Sequence, residues 1–128
     1  FPSLYNMCIA FFSCRRKKAT IVKQATTCNT VTTISFSKNI QPVFNAHCID
    51  GGCHSGVNPA ANLNLESSVS YSQLLKPGKG YVDTINPNYS LLYAQMQSVS
   101  KPMPPSGKLD TCTINLVLKW IQQKAKNN

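Results

Sequence analysis

Acidic side chains are scarce in this sequence. Four Asp and Glu stand against thirteen Lys and Arg, so the 128 residues carry a net charge of +9. This balance favours partners that are anionic, such as an acidic protein patch or an anionic lipid surface. Many of the basic residues fall outside any single cluster, they do not alternate with aromatic residues, and no recognition-helix pattern is present. We therefore expect no binding to nucleic acid.

A long hydrophobic run is also missing. Residues 1–13 are mostly apolar but too short to span a bilayer, and they stop before Cys14 and a basic cluster. This pattern resembles a bacterial lipoprotein signal in which Cys14 is the lipidated residue. Since the sequence does not begin with Met, we expect the signal to be truncated. We expect an extracytoplasmic, membrane-anchored protein; the alternative is an uncleaved anchor, which would keep the basic cluster in the cytoplasm.

Nothing in the sequence shows strand-type alternation or an internal repeat. Residues 14–33 are basic and then polar, which indicates a tether, and residues 34–128 are predicted to form one all-α domain. Ser35 or Ser37 can cap its first helix, and Pro42 fits only near the start of that helix. Further helices are predicted over Ser67–Leu75, over Tyr89–Gln97 and after the cap Asp110, the last burying Ile114, Val117, Leu118, Ile121 and Ala125.

The segment from Cys48 to His54 carries the strongest chemical signal. Two Cys followed directly by His suit covalent haem attachment, because two thiols can form thioethers while the imidazole ligates the iron. Four residues separate the cysteines here instead of the usual two. Gly51 and Gly52 permit the extra backbone to bulge, so we expect unusual backbone geometry at these two residues.

Three other interpretations of this segment remain open. Cys48 and Cys53 could form a plain disulfide. His47, Cys48, Cys53 and His54 could form a zinc site, although adjacent residues would have to converge on one metal at two places. A reactive dithiol is the third, but the spacing differs from the usual redox motif.

A haem iron also needs a ligand on its other face. His47 is adjacent to Cys48 and cannot easily reach that face, Met7 lies in the predicted signal, and Met96 falls on an apolar helical stripe. Met103 lies in a proline-rich loop whose fixed φ angles give a stiff arm. Met103 is therefore the favoured distal ligand.

The remaining cysteines suggest a structural disulfide. Cys28 precedes the predicted domain and Cys112 lies in the first turn of the last helix. A bond between them would stabilise the fold by roughly 4–5 kcal/mol on the loop-entropy model. It would join the tether to the terminal helix.

Taken in order, several short motifs resemble the small class I cytochrome c domains of membrane-anchored proteins in Bacteroidetes-like and planctomycete-like bacteria. The resemblance covers about residues 34–128, and departs from the family in the four-residue spacer and in Lys124, where Gly is frequent. It rests on Ile40-Gln41-Pro42-Val43-Phe44, Cys53-His54-Ser55-Gly56, Ser90-Leu91-Leu92-Tyr93, Met103-Pro104-Pro105 and Trp120-Ile121. The resemblance implies an all-α cytochrome c-like fold, with the first and last helices packed beside one covalent haem c. It also implies thioethers at Cys48 and Cys53, His54 as proximal and Met103 as distal ligand, and an added disulfide at Cys112.

The expected function is one-electron transfer between membrane-bound or periplasmic redox partners, without enzymatic turnover. These partners are expected to have acidic docking patches, and a respiratory complex could be one of them. The alternative from another class is a disulfide-stapled lipoprotein that binds a partner and carries no cofactor. A haem sensor or peroxidase ranks third, because no obvious distal His or Arg pair is present for peroxide chemistry.

Overall fold

A computed structural model describes residues 31–128 of the chain, and all its regular elements are helical. The chain divides into the units Phe1–Val31 and Thr32–Asn128, and only the second is treated below. No strand occurs in the described residues, in agreement with the all-α expectation. The α-helices are α1 (Gln41–His47), α2 (Ser70–Leu74), α3 (Leu91–Gln97) and α4 (Thr111–Gln122), with a π-helical turn at Phe36–Ile40 and 3-10 turns at Asp50–Gly52, Ala60–Asn62 and Pro87–Tyr89.

The first helix begins as its capping residues predict. The Ser35 side chain accepts a hydrogen bond from the Lys38 amide at 3.2 Å, which confirms Ser35 as the N-cap. The wide turn Phe36–Ile40 then leads directly into α1, with Pro42 in the first turn of that helix. The wide turn ends just before this proline, where the Gln41 amide donates to the Phe36 carbonyl. Pro42, which has no N–H, thus lies where the hydrogen-bond pattern changes from π-helical to α-helical.

The last helix, α4, also starts where it was predicted. The Asp110 carboxylate accepts hydrogen bonds from the Thr113 amide at 2.9 Å and from the Thr113 hydroxyl at 2.6 Å. The buried face of α4 differs in part from the expected stripe, because Trp120 is completely buried whereas Leu118 is only half-buried. The helix packs against α3, against the turn Pro87–Tyr89 and against the π-helical turn that opens the first helix.

The two middle helices are shorter than predicted. Residues 67–69 form a turn before α2, so that helix begins at Ser70 rather than Ser67. Tyr89 belongs to the separate 3-10 turn Pro87–Tyr89, because the backbone of Ser90 is extended (ψ 126°) and interrupts the helical path. Neighbouring turn geometry thus decided both boundaries.

The core is built around Phe36. Its ring lies 5.2 Å from the ring of Trp120, 5.2 Å from that of Tyr71 and 6.3 Å from that of Phe44. These four aromatic residues come from the π-helical turn, α1, α2 and α4, so one cluster joins four elements. Aromatic pairs at these separations add to the free energy gained from apolar burial.

The segment after α4 folds back onto this core. Lys124 and Ala125 adopt positive φ angles of 72° and 46°, which turn the chain after the helix. The Trp120 ring N–H donates to the Lys126 carbonyl at 3.0 Å, and the Tyr71 hydroxyl donates to the Ala125 carbonyl at 2.9 Å. Asn128 then accepts hydrogen bonds from the backbone amides of Phe36 and Ser37, the first two residues of the π-helical turn. Backbone groups that a helix leaves unpaired are thereby satisfied from the other end of the domain.

Within residues 31–128, no helix combines the length and the apolar character that crossing a membrane would need.

Candidate functional site: the Cys48–His54 loop

The predicted haem segment forms a tight loop at the end of α1. The Cys48 amide still donates to the Phe44 carbonyl at 2.8 Å, and the 3-10 turn Asp50–Gly52 follows. Gly51 and Gly52 have φ angles of 68° and 76°, values that side chains with a Cβ rarely adopt. The loop closes where the His54 amide donates to the Cys48 carbonyl at 3.1 Å. The expected unusual backbone at the two glycines is confirmed.

Both cysteines of the loop are free thiols. Cys53 is exposed, whereas Cys48 is half-buried. Burial, and secondarily the neighbouring Cys53, raises the pKa of Cys48 to about 12. Cys48 and Cys53 are not bonded to each other in the structure. The raised pKa of Cys48 disfavours its thiolate, the nucleophilic form that a reactive dithiol needs.

The imidazole of His54 is held by the backbone. Its Nδ1 lies 3.0 Å from the Leu63 carbonyl oxygen, and a carbonyl only accepts, so Nδ1–H is the donor. The Leu65 amide donates to the His54 carbonyl at 2.8 Å, which places the following segment alongside His54. In the neutral ring, Nε2 then carries the lone pair and is the atom available to a metal.

His47 lies near charged groups but does not complete a metal site. Burial lowers the pKa of His47, while Asp110 and Asp50 act in the opposite direction. Across residues 31–128, no group of three or more His, Cys, Asp or Glu side chains is placed to hold a metal ion. The structure therefore lends no support to a zinc site formed by His47, Cys48, Cys53 and His54.

Met103 is held on a different segment from the Cys48–His54 loop. Its amide donates to the Gln95 carbonyl of α3 at 3.1 Å, and its side chain is partly exposed. Met96, on α3 itself, is buried with 4% of its surface exposed, as expected for a residue that packs in the core. Of the two methionines in the described region, Met103 is the one that is not committed to the core.

The other predicted cysteine roles are only partly open to comparison with the structure. Cys112 is disulfide-bonded. Its predicted partner Cys28, and the predicted lipidation site Cys14, lie outside the described residues. The Cys28–Cys112 pairing therefore remains a prediction.

Sequence reasoning did not identify the segment Leu63–Glu66 as part of the site. Leu63 contributes through its backbone carbonyl, for which a sequence carries no signal. Asn64 and Glu66 bond to one another and to Gly56, two residues after His54. In the sequence, Asn64 and Glu66 on either side of Leu65 indicate only that this stretch has an exposed face. Their contact with Gly56 is seen only in the folded chain.

A comparison of the chain with models of known families, with curated proteins and with solved structures finds no match.

Proposed function

We propose that this chain is a monohaem c-type cytochrome, a one-electron carrier and not an enzyme. The observation that carries the proposal is the state of His54, whose Nδ1–H is bound to the Leu63 carbonyl while Nε2 is left for a metal. Two free thiols, Cys48 and Cys53, lie in the same loop. Covalent haem attachment requires this combination of two thiols and an adjoining imidazole.

The residues present fit a covalent haem. Cys48 and Cys53 would hold it through thioethers, and His54 would bind the iron through Nε2. A haem iron supplies reversible uptake of one electron. The chain's own contribution is to orient the imidazole, since ligating histidines are ordinarily held by a hydrogen bond from their other ring nitrogen.

Met103 is proposed as the second axial ligand. Its backbone bond to Gln95 anchors the loop to α3, and the flanking prolines restrict the chain further. A weak thioether ligand benefits from such a restricted loop, because less conformational entropy is lost on coordination. With both axial positions taken by protein, no iron position would remain for a substrate, which favours electron transfer over catalysis.

The proposed partners are redox proteins with acidic docking patches, with a respiratory complex as one setting. Five of the thirteen basic residues precede residue 31, which leaves eight (thirteen minus five) in the described region against all four acidic residues. The domain is therefore itself positively charged, with a net charge of +4 (eight minus four). Electrostatic steering of this kind gives association rates that fall as salt rises.

The proposed location is extracytoplasmic, with attachment to a membrane through a lipidated Cys14. The location agrees with the disulfide at Cys112, since disulfides persist in oxidising compartments.

The decisive experiment is to produce the full chain in a host that attaches haem to c-type cytochromes. We expect a haem stain that survives denaturation, together with the optical spectrum of a low-spin haem. A variant with both Cys48→Ser and Cys53→Ser should lose the stain. Absence of covalently retained haem in the parent chain would overturn the proposal and leave the cofactor-free lipoprotein binding module as the better interpretation.

The distal assignment has its own test. Met103→Ala should abolish the spectral signature of Met ligation. Met96→Leu replaces the buried methionine by a residue of similar size and should retain that signature. A Met103→Ala protein with an unchanged spectrum would refute Met103 as a ligand without removing the haem.

A further inference from the structure

The segment Leu63–Glu66 runs beside His54 and is hydrogen-bonded both to its ring and to its backbone carbonyl. The His54 ring donates to the Leu63 carbonyl at 3.0 Å, and the Leu65 amide donates to the His54 carbonyl at 2.8 Å. Leu63 and Leu65 are buried, with 7% and 2% of their surfaces exposed. The backbone that faces His54 is therefore anchored from the core side.

Asn64 and Glu66 anchor the same segment from the solvent side. One carboxylate oxygen of Glu66 accepts from the Asn64 side-chain amide at 2.7 Å and from the Gly56 backbone amide at 3.2 Å. The Asn64 side-chain oxygen accepts from the Glu66 amide at 2.8 Å, and its nitrogen donates to the Gly56 carbonyl at 3.4 Å. These bonds, here called the Asn64–Glu66 clamp, tie Gly56 to the segment that carries Leu63.

The glycines on either side of His54 supply no side-chain packing that would hold the loop. Gly51, Gly52 and Gly56 all have positive φ angles, and a Cβ added at any of them would meet no atom within 4 Å. These glycines are therefore not packed against neighbours, and glycine has more backbone freedom than any other residue. The position of the His54 ring relative to Leu63 therefore depends on hydrogen bonds. The bond from the His54 amide to Cys48 holds the backbone from one side, and contacts made after His54 hold it from the other.

We propose that Asn64 and Glu66 are positioning residues for His54. This inference rests on the proposed function, since it concerns the axial imidazole of the haem. By tying Gly56 to the segment 63–66, the clamp keeps the Leu63 carbonyl opposite Nδ1–H. It thereby selects the ring tautomer in which Nε2 carries the lone pair and sets the direction in which Nε2 points. The ionised state of Glu66 suits this role, because its bonds to Asn64 and Gly56 lower the pKa of the carboxyl.

The first experiment measures the tautomer directly in the full chain before haem attachment, by ¹⁵N NMR of the His54 ring at a pH where it is neutral. In the parent protein Nδ1 should be the protonated nitrogen. Glu66→Ala and Asn64→Ala should each lower the ratio of Nδ1–H to Nε2–H roughly 3- to 10-fold, which corresponds to one net hydrogen bond. Glu66→Gln retains an acceptor for Gly56 and should restore most of the ratio.

Asp83 provides the matched control. Its carboxylate also accepts two backbone amide bonds, from Ile85 and Asn86 at 2.8 Å each, but in a different loop. Asp83→Ala should leave the His54 tautomer ratio at the parent value. If Glu66→Ala and Asn64→Ala also leave it there while circular dichroism shows an intact fold, the positioning role is wrong.

The second experiment uses the haem-loaded chain and measures its reduction potential. A correctly bound Nδ1–H makes the imidazole a stronger donor to iron, so Glu66→Ala should raise the potential and Asp83→Ala should not. An unchanged potential in Glu66→Ala would contradict the inference while leaving the cytochrome proposal intact. Failure of the parent chain to retain haem would refute the cytochrome proposal instead, and the tautomer measurement would still decide the role of the clamp.

Discussion

Gln41 is a buried amide that ties α1 to the segment beside the candidate site. Only 6% of its surface is exposed, and Ser70, with which it bonds, is completely buried. The Gln41 amide nitrogen donates to the Leu65 carbonyl and to the Asn45 side chain, at 2.9 Å each. Its oxygen accepts from the Ser70 hydroxyl of α2. One side chain thus satisfies polar groups from three parts of the fold.

Gln41→Leu keeps a side chain of similar size but removes these bonds. The Leu65 carbonyl and the Ser70 hydroxyl would each be left buried without this partner, at about 1–3 kcal/mol per group. Part of this cost is offset by the gain from burying an apolar side chain. We expect a net loss of about 2–4 kcal/mol, a large fraction of the roughly 5–15 kcal/mol that a domain of this kind has in total.

Urea unfolding of the full chain, followed by far-ultraviolet circular dichroism, measures this loss. The transition midpoint should fall with no change in the dependence on urea, since the surface exposed on unfolding is the same. Gln122→Leu is the control, because Gln122 is an exposed amide on α4; it should change the stability by less than about 0.5 kcal/mol.

A double-mutant cycle with Ser70→Ala separates the polar network from simple packing. In the Gln41→Leu protein the additional Ser70→Ala change removes an unpaired hydroxyl, so it should cost less than in the parent, with a coupling of at least about 1 kcal/mol. A Gln41→Leu protein within about 0.5 kcal/mol of the parent, or additive effects in the cycle, would refute the reasoning.

Three further predictions concern the ends of α4 and the clamp. Lys124→Gly should raise the stability by roughly 0.5–1 kcal/mol, because φ is 72° at this position, while Lys124→Ala should not; equal urea midpoints for Gly and Ala would disprove the strain. Asp110→Ala should lower the stability by about 1–2 kcal/mol through loss of the N-cap, and Asp110→Asn should recover much of it in thermal unfolding. The pKa of Glu66 is lowered from its usual value near 4.5, so its stabilising effect is present above that value and is lost as the pH falls through the folded-state pKa. The stability advantage of the parent over Glu66→Ala should therefore stay constant above the usual value near 4.5 and shrink as the pH falls below it; an advantage that does not shrink in acid would contradict the assignment.

Much of the helical outline could be predicted from local sequence signals. Ser35 and Asp110 cap helices because short polar side chains satisfy the first free amides within a few residues. Pro42 could stand only near a helix start, and the paired glycines of the Cys48–His54 loop could be recognised as a place for positive φ angles. Each of these features depends on residues that are neighbours in the sequence, which is why they could be found without a structure.

The site was partly accessible by the same means. The grouping of Cys48, Cys53 and His54 follows from their adjacency in the sequence, and the structure keeps all three in one loop. The choice of Met103 over Met96 agrees with the burial of Met96 in the core. The haem itself, the distal bond and the pairing of Cys28 with Cys112 remain predictions.

The amino-acid sequence alone determined the helical class, the cap residues, the loop glycines and the candidate ligands, because each depends on the chemistry of a few consecutive residues. Only the tertiary structure decided where Nδ1 of His54 finds its acceptor, how Asn64 and Glu66 hold Gly56, and why Trp120 rather than Leu118 is fully buried. The contacts of His54 and Gly56 join residues eight to ten positions apart, beyond the reach of a helical or turn pattern. One of the key groups, the Leu63 carbonyl, is a backbone group of a kind that every residue has. Packing around Phe36 and the hydrogen bonds of Gln41 bring those segments together, and no local pattern records the result.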